Sequence, residues 1–87
     1  MQEITVWGER LRLKSNLDEV ALLQVADYLN DKMKEVKRAD PSCITTQTLA
    51  LRTAITIAGE LFLAQQEVDK LEFAVKKFEE QLTSLRL

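Results

Sequence analysis

The sequence predicts a mostly helical α+β fold: an N-terminal β-hairpin and a helix forming a small head, followed by a long C-terminal coiled-coil helix. Three observations carry this reading. Ile4 to Lys14 alternates apolar with polar residues, the segment Asp40-Pro41-Ser42 interrupts two helical patterns, and apolar residues from Ala54 onward recur in steps of three and four. With two Gly and one Pro in 87 residues, little material is left for loops.

The hairpin is expected over about residues 4–14. Ile4 and Val6 share one face, and Leu11 and Leu13 form another short apolar face. Thr5, Trp7, Arg10, Arg12 and Lys14 take the opposite phase. Gly8 lies between the two runs, where a tight reversal favours a residue without Cβ. A two-stranded hairpin alone is marginal in water, so it needs a helix beneath it or another hairpin at its edge.

A first helix is expected over about residues 17–38. Ser15-Asn16 supplies capping oxygens, and Asn16 with Glu19 forms a pattern similar to a capping box. Val20, Leu23, Ala26, Leu29 or Asn30, Met33 and Val36 recur at helical spacing, widened by Leu22 and Val25. Lys34, Lys37 and Arg38 crowd the last turn, where the helix dipole favours cations. Asp40-Pro41-Ser42 ends the helix, so the head spans residues 1–44 with a linker over 39–44.

The second helix runs over 45–87, capped at Thr45 or Thr46, with its first part packed on the head and a coiled-coil tail over 64–87. Its seam is Ala54, Ile57, Leu61, Ala64, Val68, Leu71, Val75, Phe78, Leu82 and Leu85. Every a and d position of these heptads is apolar. Gly59 is the one weak spot, at about 1 kcal/mol relative to Ala.

Helix length makes this chain self-associating. The first helix, about 22 residues, spans roughly 33 Å and the second, about 41, roughly 60 Å. The head can therefore cover only the start of the second helix, where Phe62 and Leu63 are expected under the first. Val68, Leu71, Val75, Phe78, Leu82 and Leu85 keep no intrachain partner. At roughly 1.5–3 kcal/mol per large aliphatic residue, they drive association by on the order of 10 kcal/mol per chain, before entropic costs. Phe73 falls opposite the seam and suggests a second helical interface, hence more than a dimer.

Composition narrows the function classes. Apolar residues make up 46% of the chain, too many for a disordered one. A net charge of −2 argues against nucleic acid as the main partner. The single Cys43 has no second Cys and no His to build a metal site, and fits a reducing cytosol. With no apolar run of about 20 residues and no signal-like N-terminus, the chain reads as cytoplasmic. The carboxylate pairs Asp18-Glu19 and Glu79-Glu80 lie on single helices without a cleft, so they read as solvated charge rather than acid–base machinery. No enzyme, cofactor or small-molecule substrate is indicated.

Two basic clusters are candidates for partner binding: Arg10, Arg12 and Lys14 on the hairpin, and Lys34, Lys37 and Arg38 on the first helix. Each also reads as a solvated face. Trp7 is a candidate for packing across an interface between two heads, or for an exposed anchor of a partner.

Several stretches resemble the bacterial Z-ring-associated protein A (ZapA) family. The hairpin Ile4-Thr5-Val6-Trp7-Gly8-Glu9-Arg10-Leu11-Arg12-Leu13 resembles that family's aliphatic strand, turn glycine and basic return strand. Ala26-Asp27-Tyr28-Leu29-Asn30-Asp31-Lys32-Met33 is similar to its first-helix segment, and Ala54-x-x-Ile57-Ala58-x-Glu60-Leu61 to its long-helix stretch. The chain departs at Thr56, commonly Asn in the family, and at Glu9, commonly basic.

The resemblance implies a parallel dimer, two of which join tail to tail in an antiparallel four-helix bundle. It further implies a bivalent crosslinker of FtsZ filaments located at the division site. The competing reading is a generic coiled-coil adaptor whose head binds another protein.

Overall fold

The computed structural model describes residues 1–42 and 45–86. Cys43, read above as a spacer, lies outside the described residues. The elements are β1 (Gln2–Val6), β2 (Glu9–Leu13), α1 (Glu19–Ala39) and α2 (Thr46–Arg86), as the predicted fold class requires. They form two compact units, Met1–Ile55 and Thr56–Leu87.

In the first unit β1 and β2 pair antiparallel, with Val6 opposite Glu9, Ile4 opposite Leu11 and Gln2 opposite Leu13. Only Trp7 and Gly8 remain for the turn, and both have positive φ, +52° and +81°. Two consecutive left-handed residues define a type I′ reversal, whose twist matches that of the strands it joins. Gly8 takes this conformation freely, whereas for Trp7 it costs about 1–2 kcal/mol. Trp7 is thus a turn residue and not, as the alternation suggests, the last outward residue of a strand. The register also puts Leu11 and Leu13 on the same sheet face as Ile4 and Val6, rather than on a face of their own.

α1 begins at Glu19, two residues later than expected, because Asp18 is its cap: Asp18 Oδ1 accepts the N–H of Ala21 at 2.7 Å. Ser15 instead closes a local turn, its Oγ accepting the N–H of Leu17 at 3.0 Å. The inward row of α1 is Leu22, Ala26 and Met33, with Leu29 and Val36 partly buried. Val20, Leu23 and Val25, read above as part of the stripe, are exposed. The row i, i+4, i+7, i+11, i+14 fits one narrow face of a straight helix, and the outlying three residues fall off it.

The core is small. Ile4 and Val6 meet Leu22, Ala26 and Met33 of α1 and Leu49 of α2, with Trp7 and Leu13 packed at its border. Thr53 is fully buried beside them, and its hydroxyl donates to the Leu49 carbonyl at 2.8 Å, so burial leaves no polar group unpaired there.

Asp40 closes α1. Its N–H donates to the Val36 carbonyl at 2.9 Å, while its carboxylate pairs with Arg52 on the second turn of α2 and accepts from Ser42. Thr45 caps α2 by accepting the N–H of Thr48 at 3.1 Å. Among the described residues no helix is long and apolar enough to cross a membrane.

Candidate functional site

α1 lies against β1, and among the described residues the backbone of β2 has only β1 for a neighbouring element, while its Leu13 side chain reaches the border of the core. One side chain fixes this arrangement. Asn30 Oδ1 accepts the backbone N–H of Trp7 at 2.8 Å, and its Nδ2 donates to the carbonyls of Thr5 at 3.1 Å and Ala26 at 2.9 Å. A single amide thereby satisfies both the turn and the outer edge of β1. The sequence reading left Asn30 as an alternative to Leu29 in an apolar stripe; an Asn one step from a core row was the available signal.

The Trp7 ring rests on its own chain. It is half-buried at the border of the core, and Lys37 Nζ stands 5.9 Å from its ring centroid. Lys34 lines a shallow depression with Trp7, Gly8, Asp27, Asn30 and Asp31. Of the basic residues of α1, Lys37 stands near the indole, Lys34 borders a depression that Asp27 and Asp31 also line, and Arg38 is exposed in the last turn.

On the hairpin, Arg10 and Arg12 are exposed on one sheet face, across from Thr5 and Glu3. Arg12 Nε lies 3.7 Å from Glu3 Oε2, an exposed pair worth little in water. Lys14 follows the end of β2 and borders a depression with Met1, Gln2, Leu13, Ser15 and Asn16. In that depression Gln2 Nε2 donates to the Leu17 carbonyl at 2.9 Å, and Gln2 Oε1 is buried without a partner.

The second surface lies on α2. Ile57 is half-buried, and Leu61, Ala64, Val68, Leu71, Val75, Phe78, Leu82 and Leu85 are exposed in the single chain, from 40% at Leu82 to 83% at Leu85. Phe73 is 70% exposed. Phe62 and Leu63 are exposed as well in the single chain, at 64% and 62%.

Val68, Leu71, Glu72 and Val75 bound a shallow apolar depression flanked by Lys76 and Glu79. Residues i, i+3, i+4 and i+7 of one helix are the four that surround a knob in coiled-coil packing. Leu51 and Ile55, on a face of α2 away from buried Leu49 and Thr53, form a further exposed apolar pair that the heptad reading did not register. Their i, i+4 spacing out of phase with the seam was the signal for it.

Among the described residues no group of three His, Cys, Asp or Glu could hold a metal ion.

A cell division protein ZapA from Shouchella clausii strain KSM-K16 is 29% identical over 66 residues, covering 76% of this chain and 83% of that protein. No solved structure matches. The sequence model described as cell division protein ZapA matches residues 3–86, from the first strand to the last turn of α2, and the chain therefore belongs to the ZapA family of cell division proteins.

Proposed function

We propose that this chain is a structural crosslinker of division filaments in the cytoplasm, binding FtsZ polymers through its head and holding two of them at once as a bivalent oligomer. Parallel dimers form along the α2 seam, and two dimers join through their tails as an antiparallel four-helix bundle. Two heads held apart on one oligomer engage two filaments, and each weak contact gains from the other by effective concentration. The protein thereby stabilises the Z-ring at mid-cell without catalysis.

The observation that supports this reading most is the continuous exposed row Val68, Leu71, Val75, Phe78, Leu82 and Leu85 on α2. An isolated soluble helix does not leave such a row in water when a second copy can cover it. The exposed cations Arg10, Arg12, Lys14, Lys34, Lys37 and Arg38 supply the charge for an acidic filament surface, with Arg10 and Arg12 the least encumbered by the core.

Sedimentation with polymerised FtsZ, paired with electron microscopy of the pellet, tests the proposal. The native chain is expected to co-sediment and to gather filaments into bundles. Leu82→Glu is expected to co-sediment with single filaments and no longer bundle them. A Leu82→Glu protein that remains tetrameric and bundles normally contradicts the crosslinking mechanism.

A further inference from the structure

The two edges of the hairpin are treated differently. In a two-residue reversal the flanking pair, Val6 and Glu9, bonds across the ladder, and every second pair after it does the same. The backbone groups of Ile4, Leu11, Gln2 and Leu13 therefore point inward. Those of Glu3 and Thr5 face the outer edge of β1, and those of Arg10 and Arg12 the outer edge of β2. On β1 the outer edge is occupied, since the Thr5 carbonyl accepts from Asn30 and α1 lies alongside. On β2, among the described residues, no second backbone element lies along the outer edge, and both residues whose N–H and C=O face outward are exposed arginines.

We propose that the outer edge of β2 takes an extended acidic segment of the filament protein as an additional antiparallel strand, bonded to the backbone of Arg10 and Arg12. This rests on the reading that the head binds FtsZ, and specifies how. An edge strand is a template for pairing with another chain, and the residues along it decide which chain is accepted. A second copy of β2 would set Arg10 and Arg12 against the same residues of its partner, and like charges directly opposite destabilise a ladder. A strand bearing Asp or Glu at alternate positions meets those arginines with carboxylates. Glu3 already does so within the hairpin, at 3.7 Å from Arg12. The Leu11 and Leu13 face stays directed towards the core side of the sheet, so the added strand extends the hairpin without disturbing Ile4 or Val6.

The test is residue-resolved amide exchange on the full chain, alone and co-sedimented with polymerised FtsZ. Alone, the Arg10 and Arg12 amides are expected to exchange much faster than those of Leu11 and Leu13. In the complex they are expected to slow by roughly tenfold or more, the signature of newly bonded N–H groups. Co-sedimentation with unchanged Arg10 and Arg12 exchange overturns the strand addition and leaves the filament reading standing. Absence of co-sedimentation overturns both. Slow exchange of these amides in the protein alone overturns the proposal in favour of pairing between copies.

A second comparison separates backbone from charge. Arg12→Ala and Arg12→Pro both lose the guanidinium, but only proline loses the outward N–H, at a position where the ladder does not use it. Arg12→Pro is expected to bind filaments about fivefold more weakly than Arg12→Ala, as for one lost backbone hydrogen bond. Equal binding by two variants with the native Trp7 near-ultraviolet circular dichroism overturns the proposal. Should Arg12→Pro lose that signal, the exchange result on the native chain decides.

Discussion

Asn30 Oδ1 accepts the Trp7 backbone N–H at 2.8 Å, so a side chain in the middle of α1 holds the bulky residue that occupies the left-handed region at the hairpin turn. The hairpin has few other anchors, because Ile4 and Val6, each 9% exposed, are its only buried side chains. Asn30→Ala strips the Trp7 N–H and the Thr5 carbonyl of their partner at a half-buried site. It is expected to destabilise the head by about 1–3 kcal/mol. Denaturant unfolding followed by the fluorescence of Trp7, the sole tryptophan, reads both the loss and any exposure of the indole in the folded state. A variant within about 0.3 kcal/mol of the native chain contradicts the anchoring role, since that is below the net value of one typical hydrogen bond.

Thr53 is fully buried, yet its hydroxyl is satisfied within its own helix by the Leu49 carbonyl at 2.8 Å. Thr53→Val keeps the shape and leaves the Leu49 carbonyl its helical N–H. No buried polar group loses its only partner, so stability is expected to change by less than about 1 kcal/mol. Leu49→Ala, at 2% exposure, opens a cavity in the centre of the small core and is expected to cost about 2–5 kcal/mol. Thermal unfolding of the two variants side by side checks the contrast.

Gly59 lies inside α2, and a Cβ added there meets nothing within 4 Å in the single chain. Gly59→Ala is expected to stabilise the helix by about 1 kcal/mol through propensity alone. Loss of stability, read by the circular-dichroism melting transition, indicates that another copy packs closely at this position in the assembly.

The heptad row and the exposed aromatic opposite it make separable predictions. Val75→Glu places a charge at the floor of the Val68, Leu71, Glu72 and Val75 depression and is expected to disrupt every level of association. Phe73→Glu leaves that row intact and is expected to halve the assembly, leaving dimers. Sedimentation velocity of the two proteins distinguishes the effects.

Long-period features were legible in the sequence, and features set by a shift of one or two residues were not. The repeat from Ala54 to Leu85 spans many turns, so no local choice can hide it, and Gly8 marks the reversal unambiguously. Trp7 was assigned to a strand because alternation continues smoothly into the turn; only the pairing of Val6 with Glu9 shows where the ladder closes. Asn16 and Asp18 are both good caps, and the choice falls to Asp18 once Leu22 must face the core. The basic residues of α1 read as a cluster in one dimension, and only the fold shows Lys37 near the Trp7 ring and Lys34 bordering a depression with Asp27 and Asp31.

The most direct measurement is the molar mass of the native chain by light scattering across a concentration series, with helicity recorded on the same samples. A mass between two and four times the 10.0 kDa of one chain, rising with concentration, is the expected result. A constant mass of one chain with α2 fully helical would show that water alone can face Val68 through Leu85, and the crosslinking mechanism would fall with it.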